Sequence, residues 1–199
     1  ISLGIDIVIH SATKYLGGHS DICAGVVLGT KECIERVFSS AKNFGGSLSD
    51  YTVWLLERSV KTLFIRVQAQ NKNAQLIAEF LDQADWVDHV FYPGLASHPD
   101  HALAKEQMHG FGGMLSFNLV GAVDSKKFLL SLELIKASMS LAGIETTALS
   151  PHLTSHALLT EEERLAQGIT PQMIRFSTGI EAIEDLKADL NQAYKKAIR

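Results

Sequence analysis

Short apolar runs alternate with longer stretches of helical periodicity along the chain. An apolar run bounded by Gly or polar residues is typical of a strand, whereas apolar residues recurring at intervals of three and four indicate a helix. The predicted strands cover 5–9, 23–29, 112–120, 135–140 and 173–179, and the first two are predicted to be buried. The predicted helices cover 31–42, 51–82, 125–132, 160–168 and 183–198.

The longest of these stretches, 51–82, contains neither Pro nor Gly and is predicted as one helix or two in series. It follows a loop over 43–50 whose last residues, Ser49 and Asp50, are good helix N-caps. Strands separated by helices and joined by short loops predict an α/β fold in layers. We therefore expect three parts: 1–50, a connecting helix or helices over 51–82, and a C-terminal domain over 83–199.

Composition narrows the classes of function. The 199 residues are 46% hydrophobic and 20% charged with a net charge of −4, which gives no electrostatic reason to expect nucleic acid or an anionic membrane as partner. No apolar run approaches the roughly 18 residues of a membrane span, and no signal-peptide pattern is present. Two cysteines fit a reducing, cytoplasmic setting. The abrupt start without Met suggests part of a longer polypeptide.

One lysine occupies an unusual position. Lys14 lies in "HSATKYLGGHSD", directly after an apolar run and among small and hydroxylated residues. Lysine becomes a useful nucleophile when its surroundings lower its pKa from about 10.4. The neighbouring hydroxyls suit a phosphate ester held next to an aldehyde, and Gly17 and Gly18 allow close backbone approach. The alternative is a lysine at a strand end that simply reaches solvent.

The wider sequence context favours the interpretation of Lys14 as a nucleophile. The stretch "HSATKYLGGHSD" resembles the cofactor-lysine motif of the transsulfuration family, the pyridoxal-phosphate enzymes of sulfur amino-acid metabolism. Four further blocks continue the resemblance in the same order: "LLERSVKTLFIRV", "GFGGMLSF", "SLAGIETTALSPHLTSHA" and "IRFSTGIEAIEDL". The resemblance covers essentially the whole chain, although the resembling enzymes are about twice as long.

The resemblance implies a fold and a cofactor site. Residues 1–50 would be the C-terminal part of the large α/β/α cofactor domain of a fold-type-I enzyme, and 83–199 its small α/β domain with a mainly antiparallel sheet. Lys14 matches the residue that binds pyridoxal 5'-phosphate as the internal aldimine and later transfers protons. Ser11 and Thr13 match the hydroxyls that bind the cofactor phosphate.

The resemblance also implies a substrate site in the C-terminal part. Arg175 matches the arginine that binds the substrate α-carboxylate, and Ser140 matches the serine beside it. Ser155 replaces a threonine that supports both by hydrogen bonding. Met139 occupies a position that is typically acidic in the γ-synthases and cystathionine γ-lyases but apolar or aromatic in methionine γ-lyases and β-lyases. Ala142 replaces a glycine, which we expect to be a minor change.

The expected function is a pyridoxal-phosphate-dependent carbon–sulfur lyase acting on a small sulfur amino acid such as cystathionine or methionine. The resemblance further implies a cytoplasmic homotetramer built from dimers with shared active sites. Two alternatives stay open: a γ-replacement enzyme of the same family, and an inactive C-terminal fragment with a structural role. We expect no metal, because the spaced pairs His98/His101 and His152/His156 lack further ligands at a recognised interval.

Overall fold

The computed structural model of the protein describes residues 3–198. The chain divides into two compact units, Ile1–Phe64 and Ile65–Arg199. The elements of the first unit are β1 (Ile7–Ser11), β2 (Gly25–Gly29), α1 (Lys31–Phe44) and α2 (Asp50–Val60), and the helix α3 (Leu63–Asp82) begins at its end. The helical stretch expected over 51–82 is thus two helices in series, interrupted near Lys61.

The first unit contains an antiparallel pair of strands. β1 pairs with β2 from Ile7↔Gly29 to Ser11↔Gly25, and within residues 3–198 these strands pair only with each other. Both strands were expected, but the prediction that they are buried is wrong for this chain, since Ile9 is 73% exposed. A strand is buried only when other elements cover its faces, and the sequence of a strand does not supply those elements.

Side chains at the helix ends explain where the helices of the first unit begin. The Thr30 hydroxyl accepts a hydrogen bond from the Cys33 N–H at the start of α1. At the start of α2, the Ser49 hydroxyl accepts one from the Thr52 N–H at 3.2 Å, as the sequence predicts. A short hydroxyl side chain at this position satisfies a backbone donor that has no partner within the helix.

The second unit combines helices with a five-stranded sheet. Its elements after α3 are β3 (Val87–Phe91), α4 (His101–Gln107), β4 (Met114–Leu119), α5 (Ser125–Ser131), β5 (Lys136–Ala137), β6 (Thr147–Leu149), a short 3-10 helix (Pro151–Leu153), α6 (Glu161–Ala166), β7 (Met173–Ser177) and α7 (Ile183–Ala197). The strand order is β3-β4-β7-β6-β5, and among these described strands only the short β5–β6 pair is parallel.

Among the described residues, no helix is both long and apolar enough to cross a membrane.

Three of these strands differ from their prediction. The strand expected over 135–140 is reduced to the two residues of β5, and neither β3 nor β6 was predicted. The three residues of β6 give too short a pattern for period-two alternation to be recognised. β6 exists because it lies between β5 and β7 and hydrogen bonds to both of them.

The core of the second unit lies on one face of this sheet. Along β4, Leu115, Phe117 and Leu119 are buried and alternate with less buried residues, as expected for a strand with one face against a core. Phe117 contacts Phe128 of α5 and Phe176 of β7 through its ring, and residues of α3 and α7 complete the cluster. The same alternation along β7 buries Ile174 and Phe176 and places Arg175 on the opposite face.

A buried carboxylate fixes the chain as it enters β5. Asp189 of α7 accepts hydrogen bonds from the backbone N–H groups of Glu133, Leu134 and Ile135 at 2.8–2.9 Å. The Gln70 amide of α3 donates to the Gly143 carbonyl at 2.7 Å, on the far side of the same segment. Both ends of the stretch that contains Met139 and Ser140 are thereby tied to helices.

Candidate active site

Lys14 lies in a tight turn that directly follows β1. The Lys14 N–H donates to the Ser11 carbonyl at 3.1 Å, and the Lys14 carbonyl accepts from the Gly18 N–H at 2.7 Å. The Gly17 N–H donates to the Ala12 carbonyl at 2.7 Å, so consecutive bonds close the turn. Lys14 itself is half-buried. The backbone on both sides of this lysine is therefore fixed, while its side chain keeps access to the surface of the unit.

Two aliphatic hydroxyl groups, those of Ser11 and Thr13, lie within three residues of the lysine. The Thr13 hydroxyl accepts a hydrogen bond from the Ala24 N–H at 2.9 Å, which fixes its position, and its own proton points towards the Ala24 carbonyl at 3.3 Å. This second bond is long, so the proton can be redirected to a stronger acceptor. Ser11 is exposed at the end of β1. The turn thus presents two hydroxyls and one primary amine.

Arg175 lies at the middle of β7, between the buried residues Ile174 and Phe176. Because side chains alternate across a strand, its guanidinium lies on the opposite face of the sheet from the core. Its Nη2 donates to the carbonyl oxygens of Met139 at 3.0 Å and Ser140 at 3.3 Å. Its Nε is buried and has no hydrogen-bond partner within residues 3–198. Burial lowers the pKa of Arg175 from its ordinary value.

This arrangement leaves the guanidinium suited to an anion. A buried N–H donor without a partner is costly, and a charged donor more so. The two protein bonds fix the plane of the guanidinium and compensate none of its charge, because carbonyl oxygens are neutral acceptors. A carboxylate can accept from Nη1, which makes no protein hydrogen bond within residues 3–198 and is not enclosed as Nε is. The geometry therefore fits recognition of a carboxylate at Arg175.

The backbone of Ser140 is held from several sides. Its carbonyl accepts from the Thr147 hydroxyl at 2.8 Å in addition to Arg175, and its N–H donates to the Ser138 hydroxyl at 3.2 Å. Met139 is 61% exposed, so its side chain points away from the packed core. The structure therefore brings Arg175, Met139 and Ser140 together, although they are 35 and 36 residues apart in the chain.

Ser155 makes a different hydrogen bond from the expected one. It is exposed, and its hydroxyl lies 2.8 Å from Nδ1 of the adjacent His156. The expected hydrogen-bonding support of Ser140 and Arg175 by Ser155 is not observed among the described residues. Thr147 supplies the hydroxyl that contacts the Ser140 carbonyl instead. The contact of Thr147 with Ser140 could not be predicted from the sequence, because it depends on the position of β6.

Ala142 has a backbone conformation that is unusual for its residue type. Its φ is +66°, its side chain is fully buried, and its N–H donates to the Ser177 hydroxyl at 2.8 Å. Left-handed backbone is disfavoured for residues with a Cβ, which explains why a glycine is the usual residue here in the resembling motif. The expectation that this replacement is minor is therefore wrong for the backbone, which carries local strain.

Similarity to solved structures defines the class of the fold. The chain matches the structure of cystathionine γ-lyase from Lactobacillus plantarum, complexed with L-serine, with a TM-score of 0.91 and 38% sequence identity. The match covers 98% of this chain and 52% of that one. The structure neighbours are pyridoxal-phosphate enzymes of fold type I, so this is the fold class of the chain.

Sequence comparison gives the family. The model for "Cys/Met metabolism PLP-dependent enzyme" matches residues 1–195. Cystathionine β-lyase of Lactococcus lactis subsp. cremoris (strain MG1363) is 45% identical over 197 residues, covering 98% of this chain and 52% of the relative. Chloroplastic cystathionine γ-synthase 1 of Arabidopsis thaliana is 44% identical over 194 residues, covering 97% and 34%. The chain belongs to the Cys/Met metabolism family of pyridoxal-phosphate-dependent enzymes, and it spans about half the length of the cystathionine β-lyase that it matches.

The donor groups described above fit the cofactor of this family. A primary amine, as in Lys14, is the group that reacts with the aldehyde of pyridoxal phosphate. The hydroxyls of Ser11 and Thr13 are donors of the kind that bind a phosphate, and both lie in the same turn as the lysine. The chemistry of this turn is therefore compatible with both the aldehyde and the phosphate of the cofactor.

Proposed function

We propose that the full-length protein containing this chain is a pyridoxal-phosphate-dependent carbon–sulfur lyase that acts on cystathionine, methionine or a related amino acid. The observation that carries the proposal is the turn at Lys14, in which an amine and two hydroxyls follow one strand end. Membership of the Cys/Met metabolism family and similarity to cystathionine-processing relatives support the same conclusion.

In this proposal the cofactor-binding residues are Lys14, Ser11 and Thr13. The Lys14 amine would hold the cofactor, and as a free amine it would take a proton from the substrate Cα and return protons during the reaction. The Ser11 and Thr13 hydroxyls hold the phosphate, and the Ala24 N–H keeps the Thr13 oxygen in place while they do so. The cofactor, when bound, supplies the electron sink for the negative charge that develops at Cα.

Arg175 and Ser140 orient the substrate in the same proposal. Nη1 of Arg175 donates to the substrate carboxylate while Nη2 remains bonded to the carbonyls of Met139 and Ser140. Fixing the carboxylate restricts rotation about the Cα–carboxylate axis, so the reacting bonds can be aligned for cleavage. Ser155 remains a substrate-site residue only as a prediction, because its hydroxyl bonds to His156 in this structure.

Met139 supports one group of family reactions over the other. The resembling γ-synthases and cystathionine γ-lyases typically have an acidic residue at this position, whereas Met139 is exposed and has no charge to pair with the distal ammonium group of cystathionine. This favours a β-lyase or methionine γ-lyase type of elimination. The alternative is a γ-replacement enzyme, and the 44% identity to a cystathionine γ-synthase keeps that function as the second candidate.

Reductive labelling tests the role of Lys14. Borohydride treatment of the full-length protein with bound cofactor should fix the label on the peptide that contains Lys14. Lys14→Ala should lose turnover and visible absorbance while keeping its thermal stability, because a half-buried side chain in a turn contributes little packing. Lys61→Ala, on an exposed lysine of the same unit, is the matched control. Label recovered on Lys61, or on any lysine other than Lys14, would refute the assignment.

The chain alone provides the test of the structural alternative. It spans about half the length of the cystathionine β-lyase that it matches, so we propose that the 199-residue chain by itself is inactive. From the family resemblance we further propose that the parent is a cytoplasmic homotetramer built from dimers with shared active sites. Sedimentation of the parent protein, and lyase assays of parent and chain in parallel with excess cofactor, check both statements. Turnover by the isolated chain would show that the missing length is not required.

A further inference from the structure

His19 follows the lysine turn and lies between two residues with left-handed backbone. Gly18 has a φ of +69° and Ser20 a φ of +57°. Glycine adopts such a conformation freely, whereas serine does so at a cost. Strained backbone persists only where surrounding interactions over-determine it. His19, between these two residues, makes contacts that can hold the segment in this conformation.

The imidazole of His19 contacts the backbone of the turn itself. Its Nδ1 lies 2.7 Å from the Gly17 carbonyl oxygen. A carbonyl oxygen only accepts, so Nδ1 carries the proton and donates it. The Ser59 hydroxyl of α2 lies 3.4 Å from the same Nδ1, which adds a weaker contact to a residue 40 positions away. The ring thus bridges the turn and a helix of the same unit.

Gly17 transmits this bond to Lys14. An added Cβ at Gly17 would lie 2.8 Å from both the Ala12 carbonyl oxygen and a side-chain carbon of Ile22, so the backbone here is tightly packed. The peptide that His19 holds through the Gly17 carbonyl also contains the Gly18 N–H, which donates to the Lys14 carbonyl at 2.7 Å. One peptide unit therefore connects the imidazole to the lysine backbone.

We propose that His19 is a positioning residue that holds the Lys14 turn in the geometry required for cofactor binding. Its Nδ1–H fixes the Gly17–Gly18 peptide, and that peptide fixes Lys14 through the bond from the Gly18 N–H. The donor is present in both the Nδ1-protonated neutral form and the imidazolium form, so the function is independent of the charge of His19. This inference rests on the proposed function only for the identity of the bound group.

Three variants of the full-length protein test the proposal. His19→Ala removes the donor, and His19→Asn keeps an amide N–H donor on a shorter side chain. His109→Ala, on an exposed histidine of the second unit, is the matched control. The measurements are the affinity for pyridoxal phosphate, the visible circular dichroism of the bound cofactor, thermal stability, and hydrogen exchange of the Gly17 and Gly18 amides in the cofactor-free protein.

We expect His19→Ala to bind pyridoxal phosphate about tenfold more weakly, corresponding to the loss of about one hydrogen bond. Its visible circular dichroism should change, and the Gly18 amide should exchange about tenfold faster. His19→Asn should return all three towards the wild type, and His109→Ala should change none.

Two results would overturn the proposal. The first is a His19→Ala protein that loses thermal stability but keeps cofactor affinity and circular dichroism, because His19 would then be structural only. The second is failure of His19→Asn to restore the amide protection, because the hydrogen bond from the side-chain N–H would then not be what holds the turn. If the wild type binds no pyridoxal phosphate, the proposed function fails, and hydrogen exchange still decides whether His19 holds the turn.

Discussion

Replacing Arg175 by lysine tests the carboxylate site most directly. Lysine keeps the positive charge but has no planar fork of donors. Its single ammonium group cannot contact the Met139 and Ser140 carbonyls and the substrate carboxylate in the same geometry. In the wild type these tasks are divided, because Nη2 contacts both carbonyls at 3.0 and 3.3 Å and Nη1 makes no protein hydrogen bond within the described chain. The variant should therefore lose orientation as well as binding.

The expected magnitude follows from the bonds that are lost. One charged hydrogen bond to the substrate contributes roughly 1.5–3 kcal/mol, and truncating one partner of a buried charged pair costs about 2–5 kcal/mol. We therefore expect Arg175→Lys to lower kcat/KM by roughly 30-fold to several thousand-fold, at about 1.4 kcal/mol for each factor of ten. Arg36→Lys, on an exposed arginine of α1, should leave kcat/KM within about threefold of the wild type, the range expected for surface substitutions.

A thermodynamic cycle separates carboxylate recognition from general damage. The full-length wild type and Arg175→Lys are each assayed with the amino-acid substrate and with its carboxamide. If Arg175 binds the carboxylate, the amide should be a much poorer substrate for the wild type, and this difference should shrink in the variant. Equal penalties for the amide in both proteins, or an unchanged kcat/KM for Arg175→Lys, would refute the assignment of Arg175 to the substrate.

Three further predictions concern reaction choice, backbone strain and pH. Met139→Glu in the parent should raise the ratio of cysteine to homocysteine released from cystathionine, and an unchanged ratio would show that Met139 does not influence the choice. Ala142→Gly should raise the free energy of unfolding by about 0.5–1 kcal/mol in urea denaturation, because it relieves a φ of +66°, whereas a loss of stability would show that the buried methyl group matters more. The backbone N–H and then the hydroxyl of Thr160 lower the pKa of Glu163, so the carboxylate stabilises the start of α6 above the unfolded pKa of about 4.3 and this contribution disappears as the pH falls through the folded value. Helical NMR shifts at the start of α6 should follow that titration in the wild type and not in Glu163→Gln, and equal pH dependence in both would contradict it.

The sequence determined those features that depend on neighbouring residues. Thr160 and Glu163 form the two reciprocal bonds of a capping box, and Ser49 caps α2, because a helix end needs a short polar side chain at a fixed offset. The alternation along 112–120 correctly predicted a strand there. The motif around Lys14 indicated the family, which the comparisons confirm. The roles of individual site residues stay predictions.

Only the tertiary structure decided which distant residues meet. β6 is too short to be recognised in the sequence, yet it brings two distant segments to Arg175 and Ser140. Its Leu149 pairs with Arg175, and the hydroxyl of its Thr147 donates to the Ser140 carbonyl. The hydroxyl of Ser155, which was expected to support Ser140 and Arg175, instead contacts Nδ1 of its neighbour His156.

Burial and backbone strain were likewise decided by the assembled chain. The apolar residues of β1 predicted a buried strand, but Ile9 is exposed because, within residues 3–198, only β2 pairs with it. The left-handed conformation of Ala142 could not be derived from an alanine, whose own preference is for negative φ. Propensity and periodicity act over a few residues, whereas pairing, burial and strain depend on contacts between segments that are far apart in the sequence.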